Sequence, residues 1–149
     1  MTIDFITSSF NNPYAPYIVY IRHMVFTVEQ NINASEDLDG YDQLALHVLA
    51  KIDGHYIGTG RIMPDGHIGR LAVLKNYRGK EIGSNIIKTL IMSAKKQKLK
   101  QVYLGAQCVA TTFYHKLGFE KYGDVFQEVD IDHIMMKKTL TASNTSPSN

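Results

Sequence analysis

A loop with two glycines joins a predicted strand to a predicted amphipathic helix in the middle of this 149-residue sequence. The strand spans 68–74, and the loop carries Gly79 and Gly83 beside Arg78 and Lys80. The helix has apolar residues at helical spacing: Ile82, Ile86, Ile87, Leu90, Ile91 and Ala94. Unpaired backbone N–H groups and the positive end of the helix dipole converge at such a start. The pattern predicts a phosphate site, and tight helix packing is the alternative explanation for the glycines.

The same loop argues against a nucleoside triphosphatase. In that class the spacing is Gly-x-x-x-x-Gly-Lys-Ser/Thr, because the lysine and the hydroxyl reach the phosphates and the metal ion. Here Gly83 is followed by Ser84 and Asn85, so the spacing is absent.

The remaining predicted elements indicate a mixed sheet. Strands are predicted around Ile3–Phe5 and at 44–52, 56–63 and 102–104. Two more strands are predicted within 119–136, on either side of a turn at 122–124. Helices are predicted in 13–30 and at 108–116. The turn Asp53-Gly54 is a strong hairpin signal. An antiparallel meander followed by alternating strands and helices predicts an α/β (α+β) fold. The small polar residues 141–149 are predicted to be disordered.

Composition narrows the class of protein. The length suits one domain, and 44% hydrophobic with 20% charged residues predicts a packed fold. A net charge of +2 gives no reason to expect nucleic acid or a membrane surface as partner. Cys108 is the only cysteine, so no internal disulfide or zinc site is expected, and a reducing compartment fits. Without a signal peptide or an apolar run of about 18 residues, the prediction is a cytoplasmic protein.

Two segments resemble the GNAT superfamily of N-acetyltransferases. Segment 73–83 is similar to its pyrophosphate loop, Arg/Gln-x-x-Gly-x-Gly/Ala, with Arg78 first and Gly83 last. Glu81 stands where that loop has glycine, and its carboxylate would repel a diphosphate unless it points to solvent. Segment 106–119 is similar to Asn-x-x-Ala-x-x-x-Tyr-x-x-x-Gly-Phe, with Gln107 replacing the asparagine and Tyr114 matching the tyrosine. Segments 21–30 and 126–133, with His47, extend the likeness to a branch of small bacterial members.

The resemblance implies a GNAT-like mixed, mostly antiparallel central sheet of about six or seven strands, with helices on both faces. It implies a single domain over 1–140 that takes acetyl-CoA as cofactor and acetylates a primary amine of a small molecule by direct transfer. The backbone N–H of Leu71 or Ala72 would stabilise the oxyanion, and Tyr114 would be the general acid. The implied cofactor-binding residues are Leu71, Ala72, Val73, Arg78, Gly79, Lys80, Glu81, Ile82, Gly83, Ser84, Gln107 and Tyr114.

The general base is not assigned by the resemblance. Many members use a glutamate on the strand before the loop, and segment 67–73 has no carboxylate. The candidates are Glu29, His47, Glu128 and His133. For His47 a hydrogen-bonded structural histidine is the alternative, and Arg61 and Arg70 either bind an acidic group of the acceptor or pair with acids such as Glu36 and Asp37.

Other functions remain open at this point. One is a non-catalytic acyl-CoA-binding module, which the missing strand carboxylate and Glu81 favour. Another is an acetyltransferase for a protein amine, and a third is a nucleic-acid accessory protein that uses the lysines of 95–100. Cys108 as a covalent acyl carrier lacks a paired base in the sequence. The acceptor is not specified, and a homodimer is compatible with the sequence.

Overall fold

The computed structural model describes residues 2–140, which form seven strands in two antiparallel sheets. The first sheet has the order β1-β2-β3-β4 and consists of β1 (Ile3–Ser8), β2 (Leu46–Ile52), β3 (His55–Ile62) and β4 (Ile68–Val73). The second has the order β5-β7-β6 and consists of β5 (Gln101–Gln107), β6 (Glu120–Glu128) and β7 (Ile131–Thr139). The predicted mixed, mostly antiparallel arrangement is confirmed. The polar tail predicted at 141–149 lies outside the described residues.

Helices occupy the connections between the strands. They are α1 (Ala15–Arg22), which continues into a π-helical segment (His23–Glu29), α2 (Ala34–Asp37), α3 (Ile82–Lys96) and α4 (Thr111–Lys116). Short 3-10 turns lie at Asp42–Leu44, Lys75–Tyr77 and Cys108–Ala110. π-helical turns are rare and are often found at functional sites. Within residues 2–140 no helix has the length and apolar character needed to span a membrane.

Helices cover both faces of the first sheet. Side chains alternate across a strand, so Val48 and Ala50 pack with Ile86 of α3, whereas Leu49 packs with Ile18 and Ile21 of α1 on the opposite face. The approach of α3 to β3 is close because β3 carries glycines there. A Cβ atom at Gly60 would lie 2.8 Å from Cγ2 of Ile86.

The two sheets meet at one point. A single parallel bridge joins His67 to Tyr103, where the N–H of Tyr103 donates to the carbonyl of Gly66 at 3.1 Å and the two rings stack at 4.7 Å. Beyond this bridge β4 and β5 share no ladder in the described part of the chain. The strands therefore diverge toward their C-terminal ends, and a cleft opens between Leu71 and Gln107.

The predicted turn at 122–124 is wrong. β6 runs through it with an irregularity in its pairing to β7 between Tyr122 and Phe126. The chain instead reverses at Val129 and Asp130, which both have positive φ, 47° and 62°. Gly123, with φ of 75°, lies in this irregularity of the strand. A glycine with positive φ occurs both in turns and in β-bulges, so its presence in the sequence does not distinguish the two. β5 is longer than predicted, since the alternation of buried residues continues to Ala106.

Candidate active site

The cleft contains a cavity of about 460 Å³ that both sheets line. Of the predicted catalytic and cofactor-binding residues it brings together five: Leu71, Gln107, Tyr114, Glu128 and His133. Further walls come from the end of the π-helical segment and from α2. Those residues include Phe26, Gln30, Ile32, Glu36 and Asp37.

The free edge of β4 presents backbone groups to the cleft. The N–H of Leu74 donates to Ile57 of β3 at 2.9 Å. Since N–H groups alternate between the two edges of a strand, the N–H of Ala72 also points toward β3, and those of Leu71 and Val73 point into the cleft. Of the two oxyanion donors that the sequence left open, this geometry favours Leu71.

The loop before α3 is open to solvent. Gly79 has φ of 80° with no atom within 4 Å of where a Cβ would be, and its neighbours Lys80 and Glu81 are exposed. Glu81 adopts the left-handed conformation, φ 60°, at the N-cap and makes no side-chain capping bond. This conformation explains why glycine is usual at its position. The first N–H groups of α3, from Ile82 onward, have no preceding helical carbonyl to bond and suit an anion.

Arg78 and Glu29 are paired at the edge of this loop. The guanidinium donates to both carboxylate oxygens of Glu29 at 2.6 Å, and its Nε donates to the carbonyl of Val73 at 2.9 Å. These hydrogen bonds from Arg78 lower the pKa of Glu29 below its ordinary value. Glu29 does not line the cavity. It is therefore a weaker base than the sequence alone suggested, and it lies beside the predicted diphosphate site.

Tyr114, the predicted general acid, lines the cavity from α4. Its half-buried ring lines the cavity and makes edge contacts with Phe113 and Phe119, at centroid distances of 4.9 and 5.9 Å. Burial raises the pKa of Tyr114 to about 12. The phenol therefore keeps its proton at neutral pH and can donate it to a leaving thiolate.

His133 lines the cavity and has one ring nitrogen without a hydrogen-bond partner in the described part of the chain. Its side chain is 7% exposed, and Nδ1 lies 2.7 Å from the carbonyl oxygen of Ile131. A carbonyl only accepts, so Nδ1 carries the proton and Nε2 carries a lone pair in the neutral ring. Nε2 has no hydrogen-bond partner among residues 2–140, and the ring, which stacks on Phe126, lines the cavity. It can accept a proton from a group bound there.

The other two candidate bases lie in different surroundings. His47 is 1% exposed, its Nε2 lies 3.0 Å from the carbonyl of Asp42, and it does not line the cavity. Burial lowers its pKa. This is the structural role that the sequence gave as the alternative. Glu128 lines the cavity from the exposed end of β6.

Residues 30 and 107 connect the two sides of the cleft. The Nε2 of Gln107, at the end of β5, donates to the Oε1 of Gln30 at 3.2 Å. The amide predicted to bind the pantetheine arm thus already has a polar partner from the end of the π-helical segment. Cys108, the neighbour of Gln107, is half-buried and does not line the cavity.

A network of three arginines and three aspartates supports the wall formed by α2. Its members are Arg22, Arg61, Arg70, Asp37, Asp39 and Asp42. Arg22 is 0% exposed and bonds Asp42 at 2.7 Å. Hydrogen bonds from Arg61 hold the pKa of Asp39 well below its ordinary value. The sequence suggested pairing for Arg61 and Arg70 but missed Arg22, because one arginine on a helix carries no signal of burial.

Arg70 also shapes β4. It has φ of 53°, an unusual value for a non-glycine residue, next to a shift in the pairing with β3. Its Nη2 donates to the carbonyl of Asp37 and to the carboxylate of Asp39, both at 3.1 Å. The network therefore fixes the strand that carries Leu71. No cluster of three or more His, Cys, Asp or Glu within residues 2–140 is arranged to hold a metal ion.

Comparison with known proteins identifies similar sequences. The family described as acetyltransferase (GNAT) domain matches residues 23–140. The uncharacterised N-acetyltransferase YjcF of Bacillus subtilis is 32% identical over 123 residues, which are 80% of this chain and 88% of YjcF. Protein ElaA of Escherichia coli is 32% identical over 132 residues, 83% of this chain and 86% of ElaA.

Solved structures agree with this likeness. An acyl-CoA N-acyltransferase from Pseudomonas aeruginosa superposes with a TM-score of 0.83 at 26% identity, covering 92% of this chain and 99% of its own. A GNAT family acetyltransferase from Elizabethkingia anophelis, solved with acetyl-CoA bound, shares the fold with a TM-score of 0.65 at 19% identity, covering 93% of this chain and 98% of its own.

Proposed function

Because the chain belongs to the GNAT acetyltransferase family, we propose that it moves the acetyl group of acetyl-CoA directly to a primary amine of a small molecule. As a member, it is an acyl-CoA-dependent N-acetyltransferase. The observation that carries the finer proposal is the 460 Å³ cavity, in which the rings of Tyr114 and His133 meet the free edge of β4. A neighbour of the same fold binds acetyl-CoA, which supports this cofactor.

The loop before α3 fits the diphosphate of coenzyme A. It is exposed, has open space at Gly79, and offers the first N–H groups of α3. In this proposal the backbone from Arg78 to Ser84 binds the diphosphate, with Lys80 adding positive charge. The exposed carboxylate of Glu81 turns to solvent. Val73 and Gln107 bind the pantetheine arm, and the cofactor supplies the acetyl group as a thioester.

Three groups of the chain carry the chemistry. The N–H of Leu71 stabilises the negative charge that develops on the acyl oxygen. The Nε2 of His133 takes a proton from the acceptor ammonium so that the neutral amine attacks the acyl carbon, and the hydroxyl of Tyr114 donates a proton to the departing sulfur. Glu128, on the same cavity wall, orients the amine and does not replace His133. The single cysteine and the supply of acetyl-CoA make the cytosol the proposed compartment.

Replacing His133 with Gln tests the assignment of the base. We expect kcat/KM for the amine at neutral pH to fall about a hundredfold, while the Kd for acetyl-CoA stays the same. His55→Gln, at an exposed position on β3, is the matched control and should keep full activity. Thiol release from acetyl-CoA measures the rate, and calorimetry measures binding. Full activity of the His133 variant would remove His133 from the mechanism.

The two walls of the cavity support a small molecule over a protein amine as acceptor. The cavity is bounded by α2 on one side and by the hairpin that carries Glu128 and His133 on the other. A lysine within a folded protein surface would have to enter between these segments. Turnover with free amines but not with lysine-containing peptides is the expected result, and the reverse preference would overturn this part.

A further inference from the structure

The cavity carries an excess of negative charge. Glu36 of α2 and Glu128 of β6 both line it, and neither forms an ion pair within residues 2–140. Asp37 is a third carboxylate of the lining, and Arg70 is the one lysine or arginine among the described lining residues. Three carboxylates against one guanidinium give a formal charge of −2, with histidines neutral. The chain as a whole has +2.

Neighbouring cations do not offset this charge. Arg70 lies 3.2 Å from the carboxylate of Asp37 and 3.1 Å from that of Asp39. Behind it, Arg22 and Arg61 are matched by Asp39 and Asp42, so the network adds no net charge. His67 also lines the cavity, and burial lowers its pKa, which keeps the ring neutral near pH 7. Glu36 and Glu128 are therefore available to a cationic ligand.

A second observation indicates a hydrogen-bond donor in the same cavity, which in the proposed reaction is the acceptor amine. The side chain of His133 is 7% exposed, and its Nε2 has no partner in the described part of the chain. A base accepts a proton from the nitrogen that attacks, so that nitrogen is neutral when it reacts. The carboxylates of Glu36 and Glu128 therefore attract a second nitrogen of the acceptor, which stays protonated and positively charged.

We propose that the acceptor is a diamine, with one primary amine beside His133 and a second ammonium held by Glu36 and Glu128. The idea rests on the transferase function proposed above and specifies its substrate class. The methylene chain between the two nitrogens packs on Phe26, Ile32 and Phe126, which also line the cavity. An amino acid with a terminal carboxylate is disfavoured, because its negative charge would face two carboxylates.

Three acceptors of similar length test the proposal: 1,4-diaminobutane, butylamine and 4-aminobutyrate. We expect kcat/KM for the diamine to exceed that for butylamine about fivefold, with 4-aminobutyrate the poorest, because the second ammonium gains ion pairs with two exposed carboxylates. In the variant Glu36→Gln with Glu128→Gln, the ratio of diamine to butylamine should fall to about one.

The matched control is Glu120→Gln with Asp124→Asn, which removes the same charge from exposed positions on β6 outside the cavity. It should keep the wild-type ratio, and circular dichroism confirms folding of both variants. A wild-type ratio near one, or a ratio that survives in the double Gln variant, overturns the diamine proposal alone. Absence of transfer to all three amines, with acetyl-CoA bound, overturns the proposed transfer to small amines as well.

Discussion

Arg78 and Glu29 form a bidentate ion pair, with both N–O distances at 2.6 Å, that ties the end of the π-helical segment to the loop before α3. The next residue, Gln30, bonds Gln107 on the other side of the cleft. Two consecutive side chains thus contact both walls between which the cofactor is proposed to lie. The segment that lines the acceptor cavity is thereby connected to the cofactor loop.

Replacing Glu29 with Gln should improve cofactor binding and leave the chemistry intact. The change frees the guanidinium of Arg78 and removes a negative charge near the diphosphate. We expect the Kd for coenzyme A to fall about two- to fivefold, the scale of an exposed ion pair, and kcat to change little. Arg78→Gln should raise the same Kd about tenfold. Calorimetry measures both values. A hundredfold loss of kcat in the Glu29 variant would instead identify Glu29 as the base.

Tyr114→Phe should slow turnover without weakening cofactor binding. We expect kcat to fall about a hundredfold and the KM for acetyl-CoA to change less than about twofold, because only proton donation is lost. Tyr122→Phe, on β6 and outside the cavity, is the control. Since burial raises the pKa of Tyr114 to about 12, the rate should show no decline from its ionisation below roughly pH 11. Equal rates in the two variants would exclude Tyr114 as the acid.

Gly60→Ala should destabilise the fold. The new Cβ would lie 2.8 Å from Cγ2 of Ile86. This methyl group is attached to the branched Cβ of Ile86, so it cannot move away unless α3 also moves. We expect the free energy of unfolding in urea to drop by about 1–3 kcal/mol. At Gly69 an added Cβ meets no atom within 4 Å, so Gly69→Ala should change the unfolding free energy by less than about 0.5 kcal/mol. Equal losses at both positions would contradict this explanation.

Acid should weaken the fold in two stages. Burial lowers the pKa of His47 and of His67 from 6.5, and hydrogen bonds from Arg61 lower that of Asp39 from 3.8. A lowered pKa in the folded state gives stability that is present above the ordinary pKa and lost as the pH falls. Urea unfolding should therefore show a first decline below about pH 6.5 and a second below about pH 4.

Asp39→Asn isolates the second stage. The variant should be less stable than the wild type at neutral pH, because Arg61 loses its charged partner. The difference in unfolding free energy should shrink as the pH falls below about 4, because the unfolded wild type then takes up a proton that the folded carboxylate, paired with Arg61, resists. A difference that stays constant from neutral pH to acid would show that Asp39 does not contribute through its charge.

Local signals explain what the sequence could predict. The Asp53-Gly54 turn, the strands on either side of it and the apolar stripe of α3 each depend on neighbours in the chain, and all three lie where they were expected. The loop at 79–83 belongs to this group, since two glycines and a helix start are visible in sequence. Tyr114 also lines the cavity that its motif suggested.

Long-range contacts explain what the sequence missed. The burial of Arg22 depends on Asp37 and Asp42, which are 15 and 20 residues away, so no local sequence pattern predicts that this side chain is buried. The tautomer of His133 follows from one hydrogen bond to Ile131, which became visible only with the fold of the hairpin. In the same way, sequence spacing could not separate His47 from His133, because only tertiary structure decides which ring reaches the cavity.

The divergence of β4 and β5 has a consequence for the behaviour of the protein in a crowded solution. A strand edge with unpaired N–H and carbonyl groups invites strands of other molecules and is a common origin of aggregation. Here the open edge of β4 faces β5 of the same chain across the cavity. The protein can therefore keep backbone groups free for a ligand while its own second sheet shields them from intermolecular strand pairing.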